Sequence, residues 1–150
     1  MDLLLWRHAE AVDGPPDHLR ELTERGQKQA NKVAEWITRN RPKRLKVLAS
    51  PTMRTRQTAA AFTDDFDIVT ALGPEGSVAD LIAASGWPDG SGACLIVGHQ
   101  PTLGRIAALL LSGTEADWTI KKGALWWFSN RVRDGESQTV LRCVTSPDTL

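Results

Sequence analysis

Short apolar runs alternate along the chain with longer segments in which apolar residues recur every three or four positions. Such runs, bounded by polar or turn residues, are typical of strands that are buried on both faces of a sheet. We predict five strands, at residues 3–6, 45–49, 94–97, 124–129 and 139–144. The first is the most informative, because an apolar run from Leu3 to Trp6 ends abruptly at Arg7 and His8.

Helices are predicted between the strands, each from its own start and stop signals. The first begins near Thr23, a residue type that caps helix N-termini, and ends before Pro42. In the second, Ser50 is the predicted N-cap and Pro51 the first helical residue. Two further helices are predicted, at residues 78–85 and from Pro101 to Gly113.

The order strand, helix, strand, helix in the first half of the chain predicts an α/β fold. We expect a three-layer α/β/α sandwich with a mostly parallel central sheet. The last two strands, joined through residues 133–136, are predicted to form a hairpin at one end of this sheet. A chain of 150 residues suits one sizeable core, so residues 1–150 are expected to be a single domain. Residues 146–150 are predicted to be a frayed tail.

Polar clusters follow three of the predicted strands. Arg7 and His8 follow the first, residues 50–54 with Arg54 follow the second, and His99 follows the third. The carboxyl ends of parallel strands meet at one edge of a sheet, where open α/β sheets bind their ligands. We therefore expect two arginines and two histidines to converge there.

Two converging arginines predict a pocket for a phosphate dianion. A guanidinium matches phosphoryl oxygens with paired N–H donors and stays charged at any working pH. The helix predicted to start at Ser50 and Pro51 would add free backbone N–H groups and the positive end of its dipole.

A histidine in such a pocket can act as a covalent nucleophile, because neutral imidazole has a lone pair near neutral pH. We expect His8 to attack phosphorus in line while Arg7, Arg54 and His99 hold the equatorial oxygens, after which water hydrolyses the phosphohistidine. A backbone carbonyl could keep the attacking nitrogen unprotonated by accepting from the other ring nitrogen, and His99 is expected to act protonated. Because cationic side chains neutralise the charge, we expect neither a metal nor another cofactor.

Composition narrows the expected partners and compartment. Lys plus Arg equals Asp plus Glu at 18 each, so no global charge draws the protein to nucleic acid or a membrane, and neither is an expected partner. Cys94 and Cys143 lie in apolar runs, which suits a reduced protein better than a disulfide scaffold or a metal site. The first apolar run is too short for a signal peptide. We expect a cytoplasmic monomer.

The motifs resemble those of the histidine phosphatase (phosphoglycerate mutase-like) superfamily. Residues 5–10, Leu-Trp-Arg-His-Ala-Glu, resemble its first signature, and residues 50–58, Ser-Pro-Thr-Met-Arg-Thr-Arg-Gln-Thr, resemble its second. Residues 98–101 are similar to the segment of its second histidine. Residues 17–26 are similar to the corresponding segment of the short, SixA-type phosphohistidine phosphatases.

This resemblance implies a phosphoglycerate mutase-like fold and a phosphatase that needs no cofactor. It implies that His8 is the nucleophile that becomes phosphorylated and that Arg7, Arg54 and His99 bind the phosphate. It also implies that Arg20 lies at the mouth of the pocket, where it would contact the substrate.

One feature of the larger superfamily members has no clear counterpart here: a carboxylic acid that protonates an alkoxide leaving group. Glu75 is the nearest candidate, although we favour its simpler interpretation as a solvated residue before a helix. A phosphoramidate leaves as imidazole and depends less on an acid. We therefore predict phosphohistidine in a protein partner as the substrate. The alternatives are a small-molecule phosphomonoesterase of the same superfamily and a phosphate-recognition module without turnover.

Several other polar residues have simpler structural interpretations. Arg56 is expected to be a surface cation, because the Ser-Pro-x-x-Arg pattern selects the arginine two positions earlier. His18 is expected in a solvated loop, with a role at the rim as the alternative, and Glu10 is expected to hold the loop or Arg7 in place. Lys121 and Lys122 are expected to be solvated, with the alternative that they receive an acidic protein or an extra phosphate.

Overall fold

Six strands form one twisted, mixed sheet in the computed structural model, which describes all of residues 1–150. They are β1 (Asp2–Arg7), β2 (Leu45–Ala49), β3 (Asp67–Ile68), β4 (Ala93–Gly98), β5 (Leu125–Arg133) and β6 (Glu136–Thr145). Their order across the sheet is β3-β2-β4-β1-β5-β6. The first four strands in that order are parallel, and β5 and β6 add two antiparallel pairings. The predicted mostly parallel sheet is confirmed.

Four helices cover the two faces of the sheet: α1 (Glu24–Asn40), α2 (Met53–Phe62), α3 (Val78–Ser85) and α4 (Thr102–Ser112). Leu4 and Trp6 of β1 belong to the core on the α1 and α2 side, whereas Leu3 and Leu5 belong to the core on the α3 and α4 side. All four are completely buried. Successive residues of a strand point to opposite faces, and both faces are covered here, which explains why β1 has no polar position between Asp2 and Arg7. None of these helices is long and apolar enough to span a membrane.

Helix α2 begins later than predicted. Its N-cap is Thr52 and its first residue is Met53, so the assignment of Ser50 as N-cap is wrong. The backbone N–H of Ser50 still donates to Val97 O, at 3.2 Å, so the chain remains beside β4 for one residue after β2 ends. By contrast, Thr23 caps α1 as predicted, because its side chain accepts from Gly26 N.

The β5-β6 hairpin is longer than its apolar run indicates. Asp134 and Gly135 form the turn with φ angles of 52° and 77°, which is typical of tight hairpins. The residues that extend the two strands at the tip are exposed, Val132 among them. They therefore show no pattern of buried apolar positions from which a strand could be predicted. Strand β3 has only two residues, both exposed, and was not predicted for the same reason.

The expected frayed tail is wrong. Residues 147–149 form a short 3-10 helix, and Pro147 is buried. Pro147 packs so closely on Gly123 that a Cβ there would lie 2.9 Å from the proline ring. Lys121 Nζ also donates to Asp148 Oδ2, at 2.9 Å. The tail thus supports the loop that precedes β5.

Candidate active site

Three loops meet at the carboxyl edge of the sheet, because β2, β4 and β1 are adjacent and parallel. The backbone N–H of His8 donates to Gly98 O, at 3.1 Å, and so joins the loop after β1 to the end of β4. The imidazole rings of His8 and His99 have their centroids 5.3 Å apart, tilted by 57°. The structure therefore brings the two histidines together, as the parallel order of the strands predicts.

His8 is held in a single orientation by its own backbone neighbourhood. The residue is 7% exposed, and its Nδ1 lies 2.8 Å from the carbonyl oxygen of Ala9. Burial lowers the pKa of His8 to about 4, and the charges of Arg54 and Arg7 act in the same direction. The ring is therefore neutral near pH 7. Because a carbonyl can only accept, Nδ1 carries the proton and Nε2 keeps a free lone pair.

His99 is buried beside His8 and contacts the loop after β2. Its Nε2 lies 2.8 Å from Ser50 Oγ, and the residue is 4% exposed. Burial lowers the pKa of His99 to about 3, with smaller contributions from His8 and the positive charge of Arg54. In the protein without a bound anion His99 is therefore neutral, and its action as a protonated donor to a phosphoryl group stays a prediction for the substrate-bound state. The physical cause is the loss of water around a ring that has cations as neighbours.

Two guanidinium groups lie in this site with one buried donor each left unused. Arg54 donates from Nη1 and Nη2 to Asp17, and Arg7 donates from Nη1 to Ile120 O, at 2.8 Å. The Nε–H groups of Arg7 and Arg54 are the two buried side-chain polar groups that have no hydrogen-bond partner. Buried donors nearly always have partners, so two unused ones in a single site indicate a place for an acceptor. An oxyanion fits this requirement.

Asp17 links two arginines at the entrance. Its Oδ2 lies 3.2 Å from Arg54 Nη2, and its Oδ1 lies 3.1 Å from Arg20 Nη1. The hydrogen bond from Arg20, followed by that from Arg54, lowers the pKa of the Asp17 carboxyl. Arg20 also donates from Nε to Val12 O, at 2.6 Å. Its charge contributes to the lowered pKa of His8, so it acts on the pocket from its edge.

The histidine loop is attached to α2 through a threonine that the sequence reasoning did not single out. Thr58 Oγ1 accepts from Ala9 N, at 3.1 Å, and donates to Arg54 O, at 2.8 Å. One side chain thus connects the loop of His8 to the helix that carries Arg54. On the same helix Arg56 is exposed, whereas Arg54 is 4% exposed, so the structure separates the two arginines as the motif predicts.

The remaining predicted residues lie around the opening. Glu75 is exposed in the turn before α3 and borders an open cleft of about 510 Å³ together with Asp17 and the exposed His18. Glu10 accepts from Thr23 Oγ1, at 2.9 Å, and so holds the loop against α1, as expected. No group of three or more His, Cys, Asp and Glu side chains lies close enough together to hold a metal ion.

Asp17, Ser50 and Thr58 are the site residues that sequence reasoning missed as individuals. Each lies inside a segment that resembles a family signature, which is the only signal in the sequence that could have found them. Their contacts come from different loops, so no spacing along the chain reveals them.

Comparison with known proteins agrees with this architecture. Residues 3–74 match the sequence model of the histidine phosphatase superfamily (branch 1). An uncharacterised protein of Mycobacterium tuberculosis strain H37Rv is 36% identical over 118 residues, which are 73% of each chain. Phosphohistidine phosphatase SixA of Escherichia coli K12 is 27% identical over 123 residues, 75% of this chain and 76% of SixA.

Solved structures share the fold over nearly the whole chain. The protein histidine phosphatase SixA complexed with tungstate superimposes with a TM-score of 0.78 at 24% identity, covering 99% of both chains. A phosphoserine phosphatase mutant of Entamoeba histolytica in complex with phosphoserine gives a TM-score of 0.69 at 19% identity, covering 99% of this chain and 98% of that one. With its phosphoglycerate mutase-like fold and these sequence relatives, the chain belongs to the histidine phosphatase superfamily and is similar to its SixA-type branch.

Proposed function

We propose that this protein is a metal-independent phosphatase that works through a phosphohistidine intermediate on His8, and that its substrate is phosphohistidine in a protein partner. One observation carries the proposal. The Nδ1–H of His8 is directed to Ala9 O, which leaves the Nε2 lone pair free, and Arg7 and Arg54, whose charges act on this ring, each have an unused buried Nε–H donor. A site for anion recognition alone needs the arginines but has no need of a buried nucleophile with a free lone pair.

In the first step, Nε2 of His8 forms a bond to phosphorus as the bond to the substrate nitrogen breaks. The electron pair of the broken bond remains on the substrate imidazole, which leaves as a neutral ring when its other nitrogen is protonated. Arg7 and Arg54 neutralise the charge on the equatorial oxygens, a contribution of about 10²–10³ in rate for each well-placed donor. A bound dianion also favours the charged form of His99, so this ring can become a donor when substrate arrives.

In the second step, water forms a bond to phosphorus and the bond to Nε2 of His8 breaks. The electron pair returns to the imidazole, one proton of the water is released to solvent, and inorganic phosphate leaves. The Nδ1–H bond to Ala9 O remains in place throughout, so the ring returns to its starting tautomer. The arginine charges do the neutralisation in both steps, and no step needs a metal ion.

The chemistry of the leaving group supports phosphohistidine over an alkyl ester. An imidazole leaves without help from a strong acid, whereas an alkoxide needs a proton from a carboxylic acid or a similar group. The buried pocket holds no carboxyl group, and Glu75 lies exposed at its border. The relative named phosphohistidine phosphatase SixA supports the same choice.

A small-molecule phosphomonoesterase is the second candidate, and the position of Glu75 favours it. Glu75 borders the same cleft as Asp17, whose carboxylate contacts Arg54. A carboxyl group there could approach the leaving group of a small phosphate ester. Comparing kcat/KM for phosphoramidate with that for an alkyl phosphate separates the two candidates.

The decisive experiment traps the intermediate. We expect labelled phosphate from phosphoramidate to appear on the protein in a form that is labile in acid and stable in base, as for phosphohistidine. His8→Ala removes the attacking nitrogen and is expected to abolish both labelling and turnover. The matched control is His18→Ala, because His18 is exposed in the neighbouring cleft, and this variant should still be labelled.

Three outcomes would contradict the proposal. Labelling that persists in His8→Ala would place the nucleophile elsewhere. Binding of phosphate without hydrolysis of phosphoramidate or p-nitrophenyl phosphate would show a recognition module. Loss of activity in EDTA would show that a metal ion takes part.

A further inference from the structure

The two sides of the opening to the pocket carry opposite charge. On one side, two adjoining hollows of about 290 and 380 Å³ share Arg25, Gln29, Pro147 and Asp148, and we call their combined surface the basic groove. Six cationic side chains line it: Arg7, Arg25, Lys28, Lys32, Lys121 and Lys122. The only acidic residues in its lining are Glu10 and Asp148, which leaves an excess of four positive charges.

This excess is local, because the chain as a whole has 18 basic and 18 acidic residues. The cleft on the other side of the opening, which we call the acidic cleft, is bordered by Asp17, Glu75 and Asp80 and by no lysine or arginine. Asp17 is paired with Arg20 and Arg54, whereas Glu75 and Asp80 have no ion pair. Both surfaces reach the phosphate pocket. Arg7 is part of the basic groove, and Asp17 of the acidic cleft contacts Arg54.

The carboxylates of the basic groove are already engaged within the protein. Glu10 accepts from Thr23 Oγ1 and lies 3.7 Å from Arg25, while Asp148 accepts from Lys121. Lys28 pairs with Glu24, which lies outside the groove lining, at 3.7 Å. Lys32 and Lys122 are exposed, and neither is within ion-pair distance of a carboxylate. The groove thus presents cationic groups whose charge is not compensated locally.

We propose that the basic groove binds acidic residues that flank the phosphorylated side chain of a protein substrate. This inference rests on the proposed function, since the groove leads to the pocket through Arg7. Complementary charge raises the rate of encounter and selects among partners more than it adds to affinity. The acidic cleft repels carboxylates. It therefore favours an orientation of the bound substrate in which the acidic segment lies on the α1 side.

The composition of the groove favours a peptide over a nucleic acid. No aromatic side chain lines it, and single-stranded nucleic acids usually stack their bases on aromatic rings. Lysine side chains are flexible, so their ammonium groups can reach carboxylates at varied positions on a peptide.

The test compares two peptides with a phosphorylated histidine, one flanked by glutamates and the other by glutamines, with phosphoramidate as a small reference substrate. For the protein without substitutions, we expect kcat/KM at low salt to be about tenfold higher with the glutamate peptide than with the glutamine peptide. High salt should remove most of this preference, because exposed charges are screened within about 10 Å at 0.1 M ionic strength.

A double variant locates the effect. Lys32→Glu with Lys122→Glu reverses two groove charges that have no ion pair, and we expect the ratio of kcat/KM between the two peptides to fall about tenfold. The matched control is Lys43→Glu with Arg133→Glu. It makes the same change in net charge at exposed positions near the opposite edge of the sheet, and the ratio should be retained.

The outcomes separate this inference from the proposed function. If neither peptide nor phosphoramidate is hydrolysed, the proposed function fails. If both peptides are hydrolysed equally well, or both double variants lose the preference equally, the groove has no docking role. Stronger inhibition by a short single-stranded RNA than by an unphosphorylated glutamate peptide would show a nucleic-acid surface and would overturn the inference.

Discussion

The inner pocket and its rim use the same residue types under opposite conditions. Arg54 and His99 are each 4% exposed, whereas Arg56 and His18, their counterparts nearby, lie in solvent. Water screens a charge at the rim, so a single rim residue changes an interaction only slightly. In the pocket little water reaches the side chains, and each charge is screened much less. Burial, more than residue type, therefore decides which arginine or histidine acts strongly on a bound anion.

After the loss of His8 itself, the largest expected effect comes from Arg54→Lys. Lysine retains the positive charge but has no planar guanidinium. It therefore loses the hydrogen bonds to Asp17 and the Nε–H donor that has no partner in the structure. We expect kcat/KM for phosphoramidate to fall by about 10²–10³. Steady-state kinetics with phosphoramidate at fixed pH measure the loss.

Arg56→Lys is the matched control for this prediction. It makes the same chemical change two residues away on the exposed face of α2, and we expect kcat/KM to change by less than about twofold. Equal losses in the two variants would contradict the contrast between pocket and rim.

A smaller effect is expected in the pH dependence of stability. Burial lowers the pKa of His8 to about 4 and that of His99 to about 3, whereas a histidine in the unfolded chain titrates near about 6.5. Below that pH the unfolded chain binds protons that the folded protein does not, so the free energy of unfolding must fall as the pH decreases. Between pH 7 and about pH 5.5 we expect a loss of about 1 kcal/mol for each buried histidine, measured by urea unfolding.

Variants at the pocket and the rim test whether the buried histidines cause this pH dependence of stability. His99→Gln should remove about half of the loss, because one of the two buried rings is gone. His18→Gln should leave it unchanged, since that side chain is in water in both states. An added inorganic phosphate should oppose the loss if it binds beside the rings. A pH dependence that is the same in all three proteins would refute the explanation.

The smallest effect is expected at the rim itself. Glu75→Gln removes an exposed carboxyl group, and we expect kcat/KM to change by less than about twofold for phosphoramidate and for an alkyl phosphate such as glycerol 3-phosphate. A loss of more than about tenfold that is confined to the alkyl phosphate would identify Glu75 as the general acid. It would also favour the small-molecule phosphomonoesterase.

The sequence predicted best where burial continues along an element. The apolar runs of β1 and β4 and the start of α1 at Thr23 agree with the structure, because local pattern and core packing require the same residues. It did not predict the strand segments that consist of exposed residues, namely β3 and the tip of the β5-β6 hairpin. It also misplaced the start of α2 by two residues, since the hydrogen bond from Ser50 N to Val97 O is a contact across the sheet.

By itself the sequence determined which residue types follow the buried strands, and hence the convergence of Arg7, His8, Arg54 and His99 at one edge. Strand polarity places these residues on one side of the sheet, because parallel strands end on the same side, and the adjacency of β2, β4 and β1 in the tertiary structure brings them together. Only the tertiary structure decided the protonation of the two histidines, the link from Asp17 to Arg54 and the opposite charges of the two rims. These properties depend on water exclusion and on distances between loops that are far apart in the chain, and neither is encoded in a local pattern.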